Sequence, residues 1–214
     1  MILTARLHAL SELFLTTGDD EYRTLFLAES AFITEHMYEA GWIVARVIDR
    51  LDDDGFRAAV TSTLPAIADR IRKECGENPY GIPYHPYIWG AGWGIQTMAR
   101  YYYFMYKAFP EYFGSDVLEN ALNFVLGCHP GSNRASFASG VGTRSATTAY
   151  GLNRADWSYI PGGVISGTAL IRPDFPELLE FPFLWQQTEY VLGGGSSNYM
   201  FMVLAVQMIC NPAV

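Results

Sequence analysis

"LHALSELFLTTGDDEYRTLFLAESAF", residues 7–32, sets the architecture. Ile2, Leu3, Leu7, Leu10, Leu13 and Phe14 fall at helical spacing, and Gly18 is placed to end that helix. Asp19 or Asp20 then caps a second helix, read over "DDEYRTLFLAESAFITEHMY", residues 19–38. The pair is a hairpin: an apolar helix, a short turn with an acid and a tyrosine, and another apolar helix. "MARYYYFMYKAFPEYFGSDVLENALNFVLG", residues 98–127, repeats that plan. Repeated helical hairpins bury their faces by stacking on neighbours, as in solenoids and closed toroids. Core helices that are apolar nearly all round favour a two-layer toroid over a small bundle.

Working outward, "GWIVARVIDRL" (41–51) reads as a third helix. "DDDGFRAAVTSTLPAIADRIRKEC" (52–75) is a fourth, which Pro65 should kink or split. "GWGIQTMARYYYFMYKAF" (92–109) is a fifth, "SDVLENALNFVLG" (115–127) a sixth capped by Ser115, and "NYMFMVLAVQMIC" (198–210) the last. The expected organisation is a single all-α domain over 1–214, with helical hairpins in 1–75, a loop-rich region in 76–198 and a final helix in 199–210. The segment 76–92, "GENPYGIPYHPYIWGAG", and most of 127–198 lack helical periodicity. Long aperiodic stretches inside a compact domain are usually functional loops.

Composition narrows the chemistry. Half of the 214 residues are hydrophobic and the net charge is −8, which argues against nucleic acid and anionic membrane as partners. High aromatic content in a mildly acidic chain suits a neutral, flat-faced ligand such as a sugar, although core packing accounts for most aromatics. Cys75, Cys128 and Cys210 are scattered and read as buried thiols rather than a disulfide framework. The four histidines are dispersed, and no zinc motif, P-loop or dinucleotide fingerprint occurs, so neither metal nor cofactor is expected. The start of the chain lacks the clean apolar run of a signal peptide. The apolar run 199–209 is shorter than the roughly 20 residues a bilayer requires.

Three segments, in order, resemble glycoside hydrolase family 9. "YIWGAGWGIQTMARYYYFMYKAFPEYF" (87–113) resembles the family's tryptophan-glycine turn and following helix. "NALNFVLGCHPGSNRASFASGVGTR" (120–144) is similar to its leucine-glycine helix end and serine-containing loop. "WQQTEYVLGGGSSNYMFMVLAV" (185–206) resembles its last active-site segment, in which a glutamate precedes the final barrel helix. The resemblance implies an (α/α)6-barrel-type toroid, or the C-terminal part of one, that hydrolyses β-linked glucan-type chains with inversion. It places the catalytic acid on Glu189 and the substrate-binding arginine on Arg154, within "AYGLNRADW" (149–157). That loop has no histidine where the family is histidine-rich, and Asn153 stands in the neighbouring place, which points to a different sugar or linkage preference or to a divergent branch. The family's paired aspartates belong to a segment before the matched region. "GDDEY" and "LDDDGF" read as caps or turns, so the base is expected outside this chain. A secreted or periplasmic parent enzyme follows from the same resemblance.

From the residues alone, Glu189 has two readings. Its neighbours Trp185, Tyr190, Val191 and Leu192 could keep a carboxyl protonated by desolvation, as an acid catalyst needs; alternatively it bonds backbone near the Gly193–Gly195 turn. Arg154 could grip hydroxyls with its planar donors or pair with Asp156, and Asn153 and Tyr150 are hydroxyl partners or turn residues. Trp89, Trp93, Trp157 and Trp185, four of the five tryptophans, lie in or beside the long loops, where they could stack on pyranose faces or simply pack. Tyr84 and Tyr87 share that status, whereas Tyr101–Tyr103 read as packing. Arg144 is a weaker candidate. The expected partners are an oligo- or polysaccharide and, through exposed apolar faces, a second copy or the N-terminal portion of the same enzyme. The rival readings are a non-catalytic carbohydrate-binding or scaffold domain, and another toroid enzyme such as a lyase or epimerase.

Overall fold

The computed structural model describes residues 2–84, 91–128, 136–142, 144–145, 148–149, 161–165, 189–191 and 194–211. It divides into two compact units, Met1–Arg72 with Tyr101–Gly114, and Lys73–Arg100 with Ser115–Val214.

The first unit is helical. α1 (Ile2–Thr17) packs against α2 (Asp20–Leu27) and α4 (Met37–Leu51), with α3 (Ser30–Glu35) also against α4. Gly18, at φ +71°, closes α1, and the Asp19 carboxylate accepts from Glu21 N at 2.9 Å to cap α2. The expected single helix over 19–38 is three pieces. Turn-type bonds at Glu29 and a non-helical His36 (φ −112°, ψ 28°) interrupt the run, and Phe26, Ile33 and Met37 are all buried in the core. α4 ends on Asp52 in the left-handed region (φ 48°), where the Arg23 guanidinium donates to the carbonyls of Leu51 (2.6 Å) and Asp52 (3.2 Å).

α5 (Asp54–Gly76) begins under a cap from Asp53, whose carboxylate accepts from Phe56 N at 2.8 Å. The acids of "GDDEY" and "LDDDGF" therefore serve helix ends, as their setting suggests. α5 does not split at Pro65: it runs through, held on both sides by buried Val60, Leu64 and Ala68 on one face. The tyrosine triplet packs. Tyr101 of α6 (Ala91–Ala108) stacks on Trp42 at 4.3 Å between centroids, and Tyr102 meets the edge of Phe113.

The second unit mixes helix ends, turns and a small sheet. α7 (Asp116–Val125) buries Val117, Leu118, Ala121, Leu122, Phe124 and Val125. Ser115 does not cap it by side chain: its backbone is already helical and its hydroxyl donates to Glu119 Oε1 at 2.9 Å. Three short strands, β1 (Thr148–Ala149), β2 (Val164–Ile165) and β3 (Glu189–Val191), form a sheet in the order β1-β3-β2. α8 (Gly194–Cys210) closes the unit, packing on α7 and β2, and starts earlier than the sequence suggests. The cysteines depart from expectation: Cys128 and Cys210 are exposed at the ends of α7 and α8, and Cys75 is half-buried. No helix among the described residues is long and apolar enough to cross a membrane.

Candidate active site

The second unit carries the described candidates. β3 holds Glu189 at its first position, in the middle of the sheet. Thr148 and Ala149 of β1 pair in parallel with Glu189 and Tyr190, while Val164 and Ile165 of β2 pair antiparallel with Val191 and Tyr190. The sheet thus pairs Glu189 on the β1 side, Tyr190 on both sides and Val191 on the β2 side. Tyr87, Trp89, Tyr150, Asn153, Arg154, Trp157 and Trp185 themselves lie outside the described residues.

The sheet rests on a chain of backbone anchors. Buried Phe137 meets Phe124 edge-on at 5.5 Å and donates its N–H to Val125 O at 2.8 Å, tying residues 136–139 to the end of α7. Ser136 Oγ accepts from Ala138 N at 3.0 Å, and Ala138 bridges Val164. Ser139 makes three bonds to the turn before β2: its N–H donates to Gly163 O (2.8 Å), its carbonyl accepts from Gly162 N (2.8 Å), and its hydroxyl accepts from Gly163 N (3.0 Å). The carbonyl of Arg144 accepts from Ser136 N at 2.9 Å, while its side chain is exposed.

On the other side of β3, α8 begins with Gly194 and Gly195 inside the helix. A Cβ on Gly195 would collide with Trp93 Nε1 and come within 2.6 Å of its Cδ1. The glycine thus admits an indole of the same chain, and one edge of Trp93 is taken up by α8. Asn198 Nδ2 donates to Thr97 Oγ1 at 3.0 Å, four residues along α6 from Trp93. Tyr84 lies against Gly94 in the same way, and burial pushes its hydroxyl up to about 12, so it stays a protonated donor at neutral pH. Burial also raises Tyr199. Burial, then the carboxylates of Asp116 and Glu74, push the Cys75 thiol up to about 11, which makes it a poor nucleophile.

α8 has no charged residue, and Met200, Leu204 and Met208 stand 64 %, 57 % and 64 % exposed along one stripe. Sequence reasoning missed Ser136, Ser139 and Asn198. The serine repeat in "SNRASFASG" was the available signal, but without periodicity it says nothing of partners. Among the described residues no group of three His, Cys, Asp or Glu could hold a metal ion, and the strands carry one acid, Glu189.

No protein-family model matches the chain, and no curated protein sequence matches it. The structure is similar to that of GH family 9 endoglucanase J30, with TM-score 0.60 and 21% identity, over 94% of this chain and 41% of that one. A Zn-binding triple mutant of the same endoglucanase gives the same values. The chain thus spans less than half the length of the endoglucanase it matches. It has the all-α fold of part of a glycoside hydrolase family 9 endoglucanase, of (α/α)6-barrel type.

Proposed function

We propose that the chain forms the acid-bearing part of a catalytic domain that hydrolyses β-linked glucan-type oligo- or polysaccharides with inversion. The observation that carries this reading is the match to a family 9 endoglucanase over 94% of the chain, together with the motif order that resembles that family. Inversion needs two carboxyl groups about 6.5–9.5 Å apart, one protonated and one aiming a water. Glu189 supplies the acid, protonating the departing glycosidic oxygen. An aspartate outside the chain supplies the base. That the described aspartates at the helix ends, Asp19 and Asp53, are engaged as caps supports placing the base elsewhere. Arg154, Asn153 and Tyr150 bind sugar hydroxyls, and Trp89, Trp93, Trp157, Trp185 and Tyr87 offer aromatic faces to the pyranose rings. The exposed stripe of α8 is the surface that meets the remainder of the domain, and in its absence favours self-association.

The test is hydrolysis of a soluble β-glucan by the chain alone and by a catalytic domain that includes it, with the product anomer followed by NMR. The expected result is no turnover from the chain alone and inverted product from the domain. Robust activity from the chain alone would overturn the missing base and redirect attention to Asp52–Asp54. The single carboxyl on the sheet also favours a second reading, a non-catalytic carbohydrate-binding domain. That reading predicts glucan binding without hydrolysis in both preparations.

A further inference from the structure

We infer that Ser139 is a positioning residue for Glu189, acting through β2; the catalytic part of this inference rests on the function proposed above. Ser139 is 1% exposed, and its amide, carbonyl and hydroxyl each bond the Gly162–Gly163 turn. Gly162 sits at φ +78°, a conformation open to glycine, so the turn is shaped for this closure. β2 follows without a spacer, and its two residues pair with Val191 and Tyr190, next in the chain to Glu189. Behind Ser139, the Ala138–Val164 bridge and the bond from Phe137 N to Val125 O carry the anchorage back to α7. On the far side, Ser196 of α8 reaches Gly162 O at 3.5 Å. The Gly162–Ile165 segment is therefore held between residues 138–139, α8 and the strand of the acid, and Ser139 pins it with three bonds.

A strand of three residues has little pairing of its own with which to hold a register. Catalytic geometry must be kept within roughly 0.5 Å, so a fixed neighbour strand is a functional requirement rather than a packing convenience. Removing the Ser139 hydroxyl leaves the Gly163 N–H buried without its acceptor and loosens β2, and with it the backbone of β3.

The test compares Ser139→Ala, Ser139→Thr and Ser136→Ala in the full chain. Ser136→Ala is the comparison: it also removes a buried hydroxyl from the same loop, but one bonded to Val125 and Ala138, a step removed from the Gly162–Gly163 turn. Amide hydrogen exchange is read across Glu189–Val191, and the titration of the Glu189 carboxyl by carbon-13 NMR. Ser139→Ala should speed exchange on β3 by about tenfold or more and move the Glu189 midpoint, Ser139→Thr should restore both, and Ser136→Ala should move each clearly less. Unchanged exchange and midpoint in Ser139→Ala, or equal changes in Ser136→Ala, would overturn the assignment. Should Ser139→Ala not fold, exchange in the unsubstituted chain decides instead. Gly163, Tyr190 and Val191 opening as one unit supports the pin, and separate openings contradict it. An ordinary carboxylate midpoint for Glu189 in the unsubstituted chain would count against the acid role alone, leaving the pin to be judged by the amides.

Discussion

The two units are built by different means. In the first, helices bury regular apolar faces, such as Phe56, Val60, Leu64 and Ala68 on α5, while polar side chains finish the helix ends. In the second, serine, asparagine and glycine hold irregular backbone. Asn78 accepts from Tyr80 N and donates to Ile82 O, Asn120 donates to Gly81 O, and Ser139 pins the Gly162–Gly163 turn. Redundant apolar contact tolerates small changes by repacking; single hydrogen bonds and close backbone approaches do not.

Substitutions can break or sharpen that contrast. The largest expected effect lies in the helical core. Phe26→Ala removes a buried ring that meets Phe56 edge-on at 6.1 Å, and should cost about 3–5 kcal/mol in urea unfolding. A loss under about 1 kcal/mol would mean that this core is loosely packed. Next comes Gly195→Ala, whose Cβ meets a tryptophan ring that cannot fold away. A cost of about 1–3 kcal/mol and a shifted Trp93 indole resonance are expected, and an unshifted indole would contradict the packing. Smallest is its counterpart in the first unit, Gly41→Ala on α4. There the new Cβ meets the Sδ and Cε of Met105 at 2.8 and 2.9 Å, the far end of a flexible side chain. Relaxation of Met105 and the roughly 0.5–1 kcal/mol helix gain of alanine should nearly cancel. Equal costs at the two glycines would erase the distinction.

The same contrast explains what the sequence showed. The helices were legible because periodicity at Leu7, Leu10 and Phe14, a capping Asp19 and a closing Gly18 are local signals with local causes. The break at His36 and the continuity through Pro65 were not, because which face a helix turns to the core is a tertiary matter that overrides propensity. In the candidate site, Glu189 stood out as one acid in apolar company, but its place in a strand between β1 and β2 had no signature, since two- and three-residue strands carry no period. Gly195, which the sequence offers only as part of a glycine turn, makes room for Trp93, a partner about a hundred residues away that no local pattern names. Ser139 was invisible for the same reason.

The account turns on Glu189 as proton donor. The most direct measurement is kcat for Glu189→Gln, in a catalytic domain containing this chain, on β-glucan and on an aryl β-glycoside whose leaving group needs no proton. Loss of about 10²- to 10⁴-fold on the glucan, with the activated glycoside largely spared, is the predicted result. Retention of most glucan turnover would contradict it.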